Sequence, residues 1–175
     1  NVGDTTVFHA EDETNMTFLG IIAFLDPPKP DAKEAIRGLY DAGVHVKVIS
    51  GDAPVVVEHV CKLVGMKVGD QSAVTGSDLE NMSDAELSSV VEKNDIFARL
   101  SPMQKKRVVD ALRNNGHVVG YMGDGVNDAP SLHDADVGIS VDNGTDVAKA
   151  SADIILLEKS LTVILNGIYE GRRIY

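Results

Sequence analysis

Short apolar runs and amphipathic segments alternate along most of the chain. The apolar runs have strand length and are bounded by turn residues, which predicts strands. They fall at 18–25, 44–49, 96–98, 118–122, 137–141 and 154–157, with a shorter candidate at 73–74. Helical spacing of apolar positions predicts helices at 31–42, 54–64, 83–93, 101–114, 131–135, 146–151 and from 160 onward. This alternation predicts an α/β fold with a doubly wound, mostly parallel, Rossmann-like sheet.

The first thirty residues differ from this pattern. Residues 1–17 are polar with a weak strand signal at 5–9, which predicts either a linker or an edge strand. The continuous apolar run from Phe18 to Leu25 predicts a buried strand. Residues 26–30 then contain three prolines, which fix φ and remove backbone donors. This segment is interpreted as a stiff connector, either a hinge or a rigid loop.

Capping residues mark the starts of several helices. Ser101, Pro102 and Gln104 combine an N-cap hydroxyl, a first-turn proline and a reciprocal capping side chain. Asp52 precedes Pro54 and is predicted to cap the helix that begins there. The inward face of that helix is predicted to consist of Val56, Val60, Leu63 and Val64.

An acidic loop follows the apolar run at 118–122. Its sequence is Gly123-Asp124-Gly125-Val126-Asn127-Asp128, with Ala129 and Pro130 opening the next element. Loops at the carboxyl ends of parallel strands are where open α/β sheets bind ligands. Carboxylate and amide oxygens suit a hard cation such as Mg²⁺. For Gly123-Asp124-Gly125 alone, a plain Gly/Asn/Asp turn is the better explanation, but it does not readily explain the whole string.

Two further loops are expected at the same sheet edge. Ser50-Gly51-Asp52 follows the strand at 44–49, and Lys105 lies in the first turn of the helix that begins at Pro102. Helical spacing places Lys105 on the core side and Lys106 on the outer side. A lysine in the first turn opposes the helix dipole, so its position favours a nearby anion. A hydroxyl, a lysine and a carboxylate cluster would suit Mg²⁺-assisted phosphoryl transfer.

Composition narrows the classes of partner. The chain has 27 acidic and 16 basic residues, a net charge of −11, which argues against nucleic acid and anionic membrane surfaces as partners. Cys61 is the one cysteine, so no intrachain disulfide can form, and its apolar neighbours predict a buried helix residue. No run of 18 apolar residues occurs, and the start is not that of a signal peptide.

In series, these motifs resemble the phosphorylation domain of P-type ATPases, a branch of the haloacid dehalogenase-like fold. The resemblance covers roughly residues 17–175 in the family's order. It is carried by Asp26-Pro27-Pro28, Ser50-Gly51-Asp52, Phe97-Ala98-Arg99 with Pro102 and Lys105, and Gly123 to Pro130. Residues 24–29, 138–142 and 153–159 look most like bacterial magnesium-transporting members.

The resemblance implies roles for individual residues. Asp124 and Asp128 would be Mg²⁺ ligands, with Asn127 and Asp128 also ordering the loop. Lys105 would neutralise phosphate charge, and Ser50, where the family more often has Thr, would donate to a phosphoryl oxygen. The remaining assignments concern nucleotide binding: Gly51 would allow close backbone approach, and Asp52 and Arg99 would lie toward ATP.

The resemblance also implies a domain organisation. Residues 1–25 would lead out of a nucleotide-binding domain and form a first strand, 26–30 would be a hinge, 31–158 the phosphorylation-domain core, and 159–175 the start of a stalk helix. The partners would be the nucleotide-binding, actuator and transmembrane domains of a pump at the cytoplasmic face of the cell membrane. Its substrates would be ATP and a transported cation, Mg²⁺ by similarity.

One departure from the family decides what this chain can do alone. The family's nucleophile lies in an Asp-Lys-Thr-Gly-Thr motif on the central strand, and these 175 residues contain no such motif. The sheet is therefore expected to be incomplete and the isolated chain inactive. A soluble phosphatase of the same superfamily and a non-catalytic Mg²⁺-binding regulatory module are the alternative interpretations.

Overall fold

The computed structural model describes residues 14, 16–22, 27–68, 73–158 and 160–174. The helices are α1 (Ala32–Asp41), α2 (Pro54–Leu63), α3 (Gly76–Glu80), α4 (Asp84–Lys93), α5 (Pro102–Asn114), α6 (Ala129–Asp134), α7 (Asp146–Ala150) and α8 (Thr162–Ile174). The strands are β1 (Val48–Ile49), β2 (Val74–Thr75), β3 (Ile96–Ala98), β4 (Gly120–Met122), β5 (Val137–Val141) and β6 (Ile154–Leu156). Among the helices in these ranges, none has the length and apolar content needed to cross a bilayer.

The strands form two parallel sheets. The first has the order β1-β3-β2, with Ile49 opposite Phe97 and Val74 also opposite Phe97. The second has the order β4-β5-β6, with Met122 opposite Ile139 and Ile139 opposite Ile154. All pairings are parallel, as the alternation of strands and helices predicts. The expected single incomplete sheet is therefore present as two halves.

Helices cover both faces of the first sheet. Ile96 and Ala98 pack with residues of α1 and α2, including Ile36 and Cys61, on one face. Phe97 points to the opposite face, where it packs with Leu87 of α4 and other residues of α3 to α5. Because side chains alternate along a strand, a strand buried on both sides reads as a continuous apolar run. The doubly wound arrangement is thereby confirmed for this half, and Cys61 is buried as predicted.

The second sheet is covered mainly on one face. Tyr121 of β4 packs there with Val109 of α5, Leu132 of α6 and Ala148 of α7. A Cβ at Gly138 would collide with the carbonyl oxygen of Leu132, so glycine is required for α6 to lie this close to β5. On the other face, the cross-strand row Met122, Ile139 and Ile154 is only partly covered.

The two sheets meet at β1 and β4. Ile49 of β1 and Val119, just before β4, each pack against two apolar clusters, the one that contains Phe97 and the one that contains Tyr121. Helix α5 contributes to both clusters through Val108 and Val109. Within the described residues, β1 and β4 each pair with one strand only. Their other edges border the junction between the halves.

The predicted strand at 18–25 is wrong for the residues that the structure describes. Phe18, Leu19, Ile21 and Ile22 are not in a strand, and their side chains are strongly exposed. An apolar run indicates a tendency to be buried, but a strand also needs a neighbour to accept its backbone hydrogen bonds. Among described residues this segment has none. Residues 23–26 and the weak strand signal at 5–9 lie outside the described residues.

The predicted details of α2 are also partly wrong. Ala53 is the N-cap and contributes no capping side chain, because the Asp52 carboxylate accepts a hydrogen bond from Ser50 instead. Val57, Cys61 and Val64 form the buried face, and Val56 and Leu63 are about half exposed. Consecutive valines at 55–57 made the helical face ambiguous from spacing alone.

Helix α8 is joined to the start of α1. Asp31 Oδ2 accepts hydrogen bonds from Ser160 Oγ at 2.6 Å and from the Leu161 N–H at 3.0 Å. At the other end of α1, Arg172 donates to the carbonyl oxygen of Ala42 at 2.5 Å. Asp31, the residue that follows the proline-rich segment, thus ties the beginning of α1 to the beginning of α8.

Candidate active site

Lys105 owes its position to the cap of α5. Ser101 Oγ accepts the Gln104 N–H at 3.3 Å, and Gln104 Oε1 accepts the Ser101 N–H at 2.9 Å, as the sequence predicts. This reciprocal pair fixes where the helix starts and which way Lys105 points. The Lys105 side chain is 11% exposed, against 31% for Lys106. The prediction that Lys105 is the inner lysine is confirmed by this difference.

Lys105 contacts the acidic loop directly. Its ammonium nitrogen lies 2.7 Å from Asp128 Oδ1, and the Asp128 side chain is 13% exposed. Tyr121 Oη donates to the same oxygen at 2.9 Å, and the Gly125 N–H donates to Asp128 Oδ2 at 3.2 Å. Three donors from α5, β4 and the loop therefore converge on one carboxylate.

The surroundings of Asp128 favour its charged form. Burial opposes ionisation, but the hydrogen bond and charge of Lys105, with the bonds from Tyr121 and Gly125, outweigh it and lower the pKa of this carboxyl. Burial and then the charge of Asp128 raise the pKa of Tyr121 well above its ordinary value. Tyr121 therefore stays protonated and acts as a donor at neutral pH.

The loop can turn this tightly only because residue 123 is glycine. A Cβ at Gly123 would lie 2.5 Å from Asp128 Cβ and 2.8 Å from Asp128 Cγ. The Gly123 N–H extends the β4–β5 ladder by donating to the Ile139 carbonyl at 3.1 Å, and Val126–Asp128 then form a 3-10 turn. The glycine thus lets the chain leave the sheet and fold Asp128 back toward α5.

Asp124 is placed differently from Asp128. Its backbone carbonyl accepts the Thr145 N–H at 2.8 Å, which anchors the loop to the start of α7. Its side chain is exposed, and none of the described residues forms a hydrogen bond or ion pair with the carboxylate. Asn127 is also exposed, within the 3-10 turn. Asp124 is therefore free to bind an ion or solvent.

The oxygens of this loop fit the requirements of Mg²⁺. The ion is usually held by one or two carboxylates and completes its shell with water and substrate phosphate. Asp124 offers an exposed carboxylate, and Asp128 Oδ2 accepts one hydrogen bond from the residues that the structure describes. Within the described ranges, no group of three or more His, Cys, Asp or Glu side chains is gathered to hold a metal. A site formed by protein ligands alone is therefore not present there, whereas one completed by phosphate is compatible with the loop.

The Ser50-Gly51-Asp52 loop lies at the carboxyl end of β1. Ser50 Oγ donates to Asp52 Oδ2 at 3.0 Å and accepts the Asp52 N–H at 3.0 Å. The carbonyl of Asp52 accepts the Arg99 N–H at 2.9 Å, and that of Ser50 accepts the Leu100 N–H at 3.0 Å. The ends of β1 and β3 are thus fastened together.

Arg99 has an unusual backbone conformation. Its φ is 54°, in the left-handed region that residues other than glycine rarely adopt, and its side chain is exposed. The hydrogen bond from its N–H to Asp52 holds this conformation. Strained backbone of this kind is often found at functional sites.

The predicted residues are therefore brought together in two groups. Lys105, Asp128 and the backbone around Asp124 form one, whereas Ser50, Gly51, Asp52 and Arg99 form the other. The two are connected through Ile49, which packs on the same apolar cluster as Tyr121. Tyr121 was missed by the sequence analysis, although a tyrosine at an inward strand position beside an acidic loop would be expected to find a partner for its hydroxyl.

Comparison with known proteins places this chain in a family. Residues 2–136 match the family described as "Hydrolase: haloacid dehalogenase-like hydrolase". The chain is 54% identical over 173 residues to "Magnesium-transporting ATPase, P-type 1" of Salmonella typhimurium strain LT2, covering 99% of this chain and 19% of that protein. It is 49% identical over 168 residues to the protein of the same name in Escherichia coli K12, covering 96% and 18% respectively. The chain thus spans about a fifth of the length of these relatives.

A solved structure supports the same assignment. The catalytic domain of the CPx-ATPase CopB-B superposes with a TM-score of 0.61 at 29% identity, over 81% of this chain and 45% of that one. The fold is therefore shared with a P-type ATPase domain. The chain belongs to the haloacid dehalogenase-like hydrolase family, and the resemblance to P-type ATPases that its motifs indicated is confirmed.

Proposed function

We propose that these residues form part of the phosphorylation domain of an ATP-driven pump that transports Mg²⁺. The chain would supply the groups that bind the catalytic Mg²⁺ and stabilise the phosphoryl group while an aspartyl phosphate forms and is hydrolysed. The observation that carries this proposal is the buried Lys105–Asp128 pair in the same loop as the exposed carboxylate of Asp124, which has no partner among the described residues. The identity of 54% to a magnesium-transporting ATPase supports the choice of transported cation.

Phosphoryl transfer depends mainly on positioning and on neutralisation of charge. Lys105 would donate to a phosphoryl oxygen, and Ser50 would hold a second one through its hydroxyl. Gly51 has no side chain to obstruct a phosphate, and Asp52 and Arg99 would lie toward the nucleotide. Asp124, with Asp128 through Oδ2, would hold Mg²⁺, which when bound would offset the negative charge of the phosphoryl oxygens. Asn127 would keep the loop in this conformation.

The acceptor aspartate would come from a further strand. The 175 residues contain no Asp-Lys-Thr-Gly-Thr motif. Edges of β1 and β4 that have no partner among the described residues border the junction of the two sheets, where Ile49 and Val119 pack. We infer that the acceptor strand pairs with both edges, which would bring its aspartate beside Ser50, Lys105 and Asp124.

The same proposal assigns roles to the other parts of the chain and to the other domains of the pump. Residues 1–25 would lead from the nucleotide-binding domain, and the exposed apolar side chains at 18–22 would pack against that domain. Residues 26–30 would be the hinge, 31–158 the core, and 159–175 the stalk that leads toward the membrane. The nucleotide-binding, actuator and transmembrane domains would be partners, and this part would lie at the cytoplasmic face of the cell membrane.

The direct test uses a full-length pump that contains these residues. Labelled ATP and Mg²⁺ should give an acid-stable, hydroxylamine-sensitive phosphoenzyme, and Asp124→Asn should abolish it without unfolding the domain. Asp41→Asn, which alters an exposed carboxylate of α1, should label normally. Equal labelling of the two variants would contradict the role of Asp124.

The same assays separate the alternatives. A soluble phosphatase would hydrolyse p-nitrophenyl phosphate with the isolated chain, whereas the proposed pump fragment should not. ATP-dependent labelling of the isolated chain would also contradict the proposal. A regulatory module would bind Mg²⁺ but leave phosphoenzyme formation unchanged when Asp124 is replaced.

A further inference from the structure

Tyr121 is placed at the middle of β4 with its ring in the core and its hydroxyl at the site. The residue is 7% exposed and packs with Val109, Leu132 and Ala148. Its Oη lies 2.9 Å from Asp128 Oδ1. A phenylalanine would fill the apolar part of this environment equally well, and a buried hydroxyl is costly unless it is hydrogen-bonded. The hydroxyl is therefore explained by its bond to Asp128.

Tyr121 and Lys105 share one oxygen of Asp128. If the Lys105 ammonium turned away, Asp128 Oδ1 would keep the bond from Tyr121, and Oδ2 would keep the bond from Gly125. Without the tyrosine hydroxyl, Oδ1 would lose its last donor among the described residues. A poorly hydrated carboxylate without a donor is unfavourable, so it would hold Lys105 in the pair.

We propose that Tyr121 is a positioning residue that holds the Asp128 carboxylate while the Lys105 ammonium turns toward the phosphoryl group. This inference rests on the proposed function in one respect, because that function supplies the phosphoryl group toward which Lys105 turns. The hydrogen bond on which it depends can be tested without that function. Tyr121 would not contact the phosphoryl group, so its effect would be transmitted through Asp128 and Lys105.

The first test is the carbon-13 NMR shift of the Asp128 carboxyl in the chain itself, read at pH 7. The groups that hydrogen-bond to this carboxylate are the Lys105 ammonium from α5, the Tyr121 hydroxyl from β4 and the Gly125 N–H from its own loop. Tyr121→Phe keeps the ring and removes one donor, so the Asp128 resonance should move from its position in the parent chain. Tyr169→Phe, at a half-exposed position of α8, should leave the resonance in place. An unmoved Asp128 resonance in a folded Tyr121→Phe chain would overturn the proposal, because a residue needed only for packing predicts that result.

A second variant tests the same bond in the opposite direction. Replacing Tyr121 by 3,5-difluorotyrosine makes the phenol a stronger donor, so the Asp128 carboxyl resonance should move in the direction opposite to its movement in Tyr121→Phe. This variant decides the question if Tyr121→Phe does not fold, because the resonance must then move from its position in the parent chain. A resonance that moves in the same direction as in Tyr121→Phe, or does not move, would contradict the proposal.

The functional test is made in the full-length pump. Tyr121→Phe should slow phosphoenzyme formation about tenfold, since losing one hydrogen bond to a charged group raises the barrier by roughly that factor. The KM for ATP should stay unchanged, because the nucleotide is held elsewhere. Normal labelling in Tyr121→Phe together with loss of labelling in Asp124→Asn would reject this inference and retain the proposed function. A shifted Asp128 resonance in Tyr121→Phe together with normal labelling in Asp124→Asn would reject the proposed function instead.

Discussion

The Lys105 ammonium lies 2.7 Å from Asp128 Oδ1, whereas that of its neighbour Lys106 lies 2.7 Å from Asp110 and 2.5 Å from Asp134. The two adjacent lysines thus lie on different faces of α5 and pair with different carboxylates. The Lys105 pair is almost entirely removed from solvent, and the Lys106 pairs are about one-third exposed. We therefore expect burial, and not the number of partners, to decide how much each lysine contributes to the stability of the fold.

Lys105→Ala should destabilise the chain far more than Lys106→Ala. Removing Lys105 leaves a poorly hydrated carboxylate with only neutral donors, which is expected to cost about 3 kcal/mol. Removing Lys106 breaks pairs that solvent screens, so its loss should cost much less than the loss of Lys105. Urea unfolding at pH 7 measures both values, and equal losses would show that the two environments do not differ as described.

Gly123→Ala should distort the acidic loop. The added Cβ would lie 2.5 Å from Asp128 Cβ, so the loop must shift at an expected cost of about 1 to 3 kcal/mol. Gly167→Ala in α8 is the matched control, because a Cβ there meets nothing within 4 Å. It should be neutral or stabilise the helix by up to about 1 kcal/mol. Thermal unfolding of both variants checks the contrast, which fails if Gly123→Ala is as stable as the parent chain.

Local sequence patterns predicted the elements of the site better than the contacts between them. The strand at 137–141, the start and end of α5 and the inward direction of Lys105 agree with the structure, because capping and spacing are properties of neighbouring residues. The hydrogen bonds from Tyr121 and from the Gly125 N–H to Asp128 were not predicted. Tyr121 reaches Asp128 only through the glycine turn at 123, which spacing along β4 does not reveal.

The strand prediction for 18–25 shows a second limit of the sequence. Phe18 to Ile22 are apolar enough for a core, yet they are exposed. Their pattern carries information about burial but none about which segment would supply the neighbouring strand. The prediction of the buried face of α2 was wrong for a related reason. Val55, Val56 and Val57 are three candidates for that face, and only packing against the sheet selects Val57.

Acid should weaken the fold partly through Asp128. The pKa of this carboxyl is lowered in the folded chain, so it contributes stability at pH values above about 4, the ordinary unfolded range. That contribution is lost as the pH falls through the lower folded value. Asp128→Asn should therefore reduce the loss of stability between pH 5 and pH 2, although other carboxyls keep part of it.

A matched variant controls for that measurement. Asp84 is 94% exposed, so Asp84→Asn should retain the acid dependence of the parent chain. The measurement is the urea midpoint between pH 5 and pH 2 for the parent chain, Asp128→Asn and Asp84→Asn. The assignment would be contradicted if Asp128→Asn and Asp84→Asn gave the same dependence.

Asp31→Ala should loosen α8. The substitution removes the acceptor for Ser160 Oγ and the Leu161 N–H, and the Ser160 bond is also the main reason that the pKa of Asp31 is lowered. Amide hydrogen exchange should become faster at the start of α8, and exchange in α5 should not change. Asp41→Ala, at an exposed residue of α1, is the control. Unchanged exchange in α8 would show that packing against α1 is sufficient to hold it.

The parallel edges of β1 and β4 at the junction have a consequence for how this molecule behaves at high concentration. Unpaired backbone donors and acceptors on a strand edge readily recruit other chains. A strand that bonds to both edges at once would close the sheet and suppress such recruitment, whereas a second copy of the chain would bring further edges of its own. Purified alone, the chain should therefore self-associate as its concentration rises, and an added strand that seats between β1 and β4 should keep it monomeric.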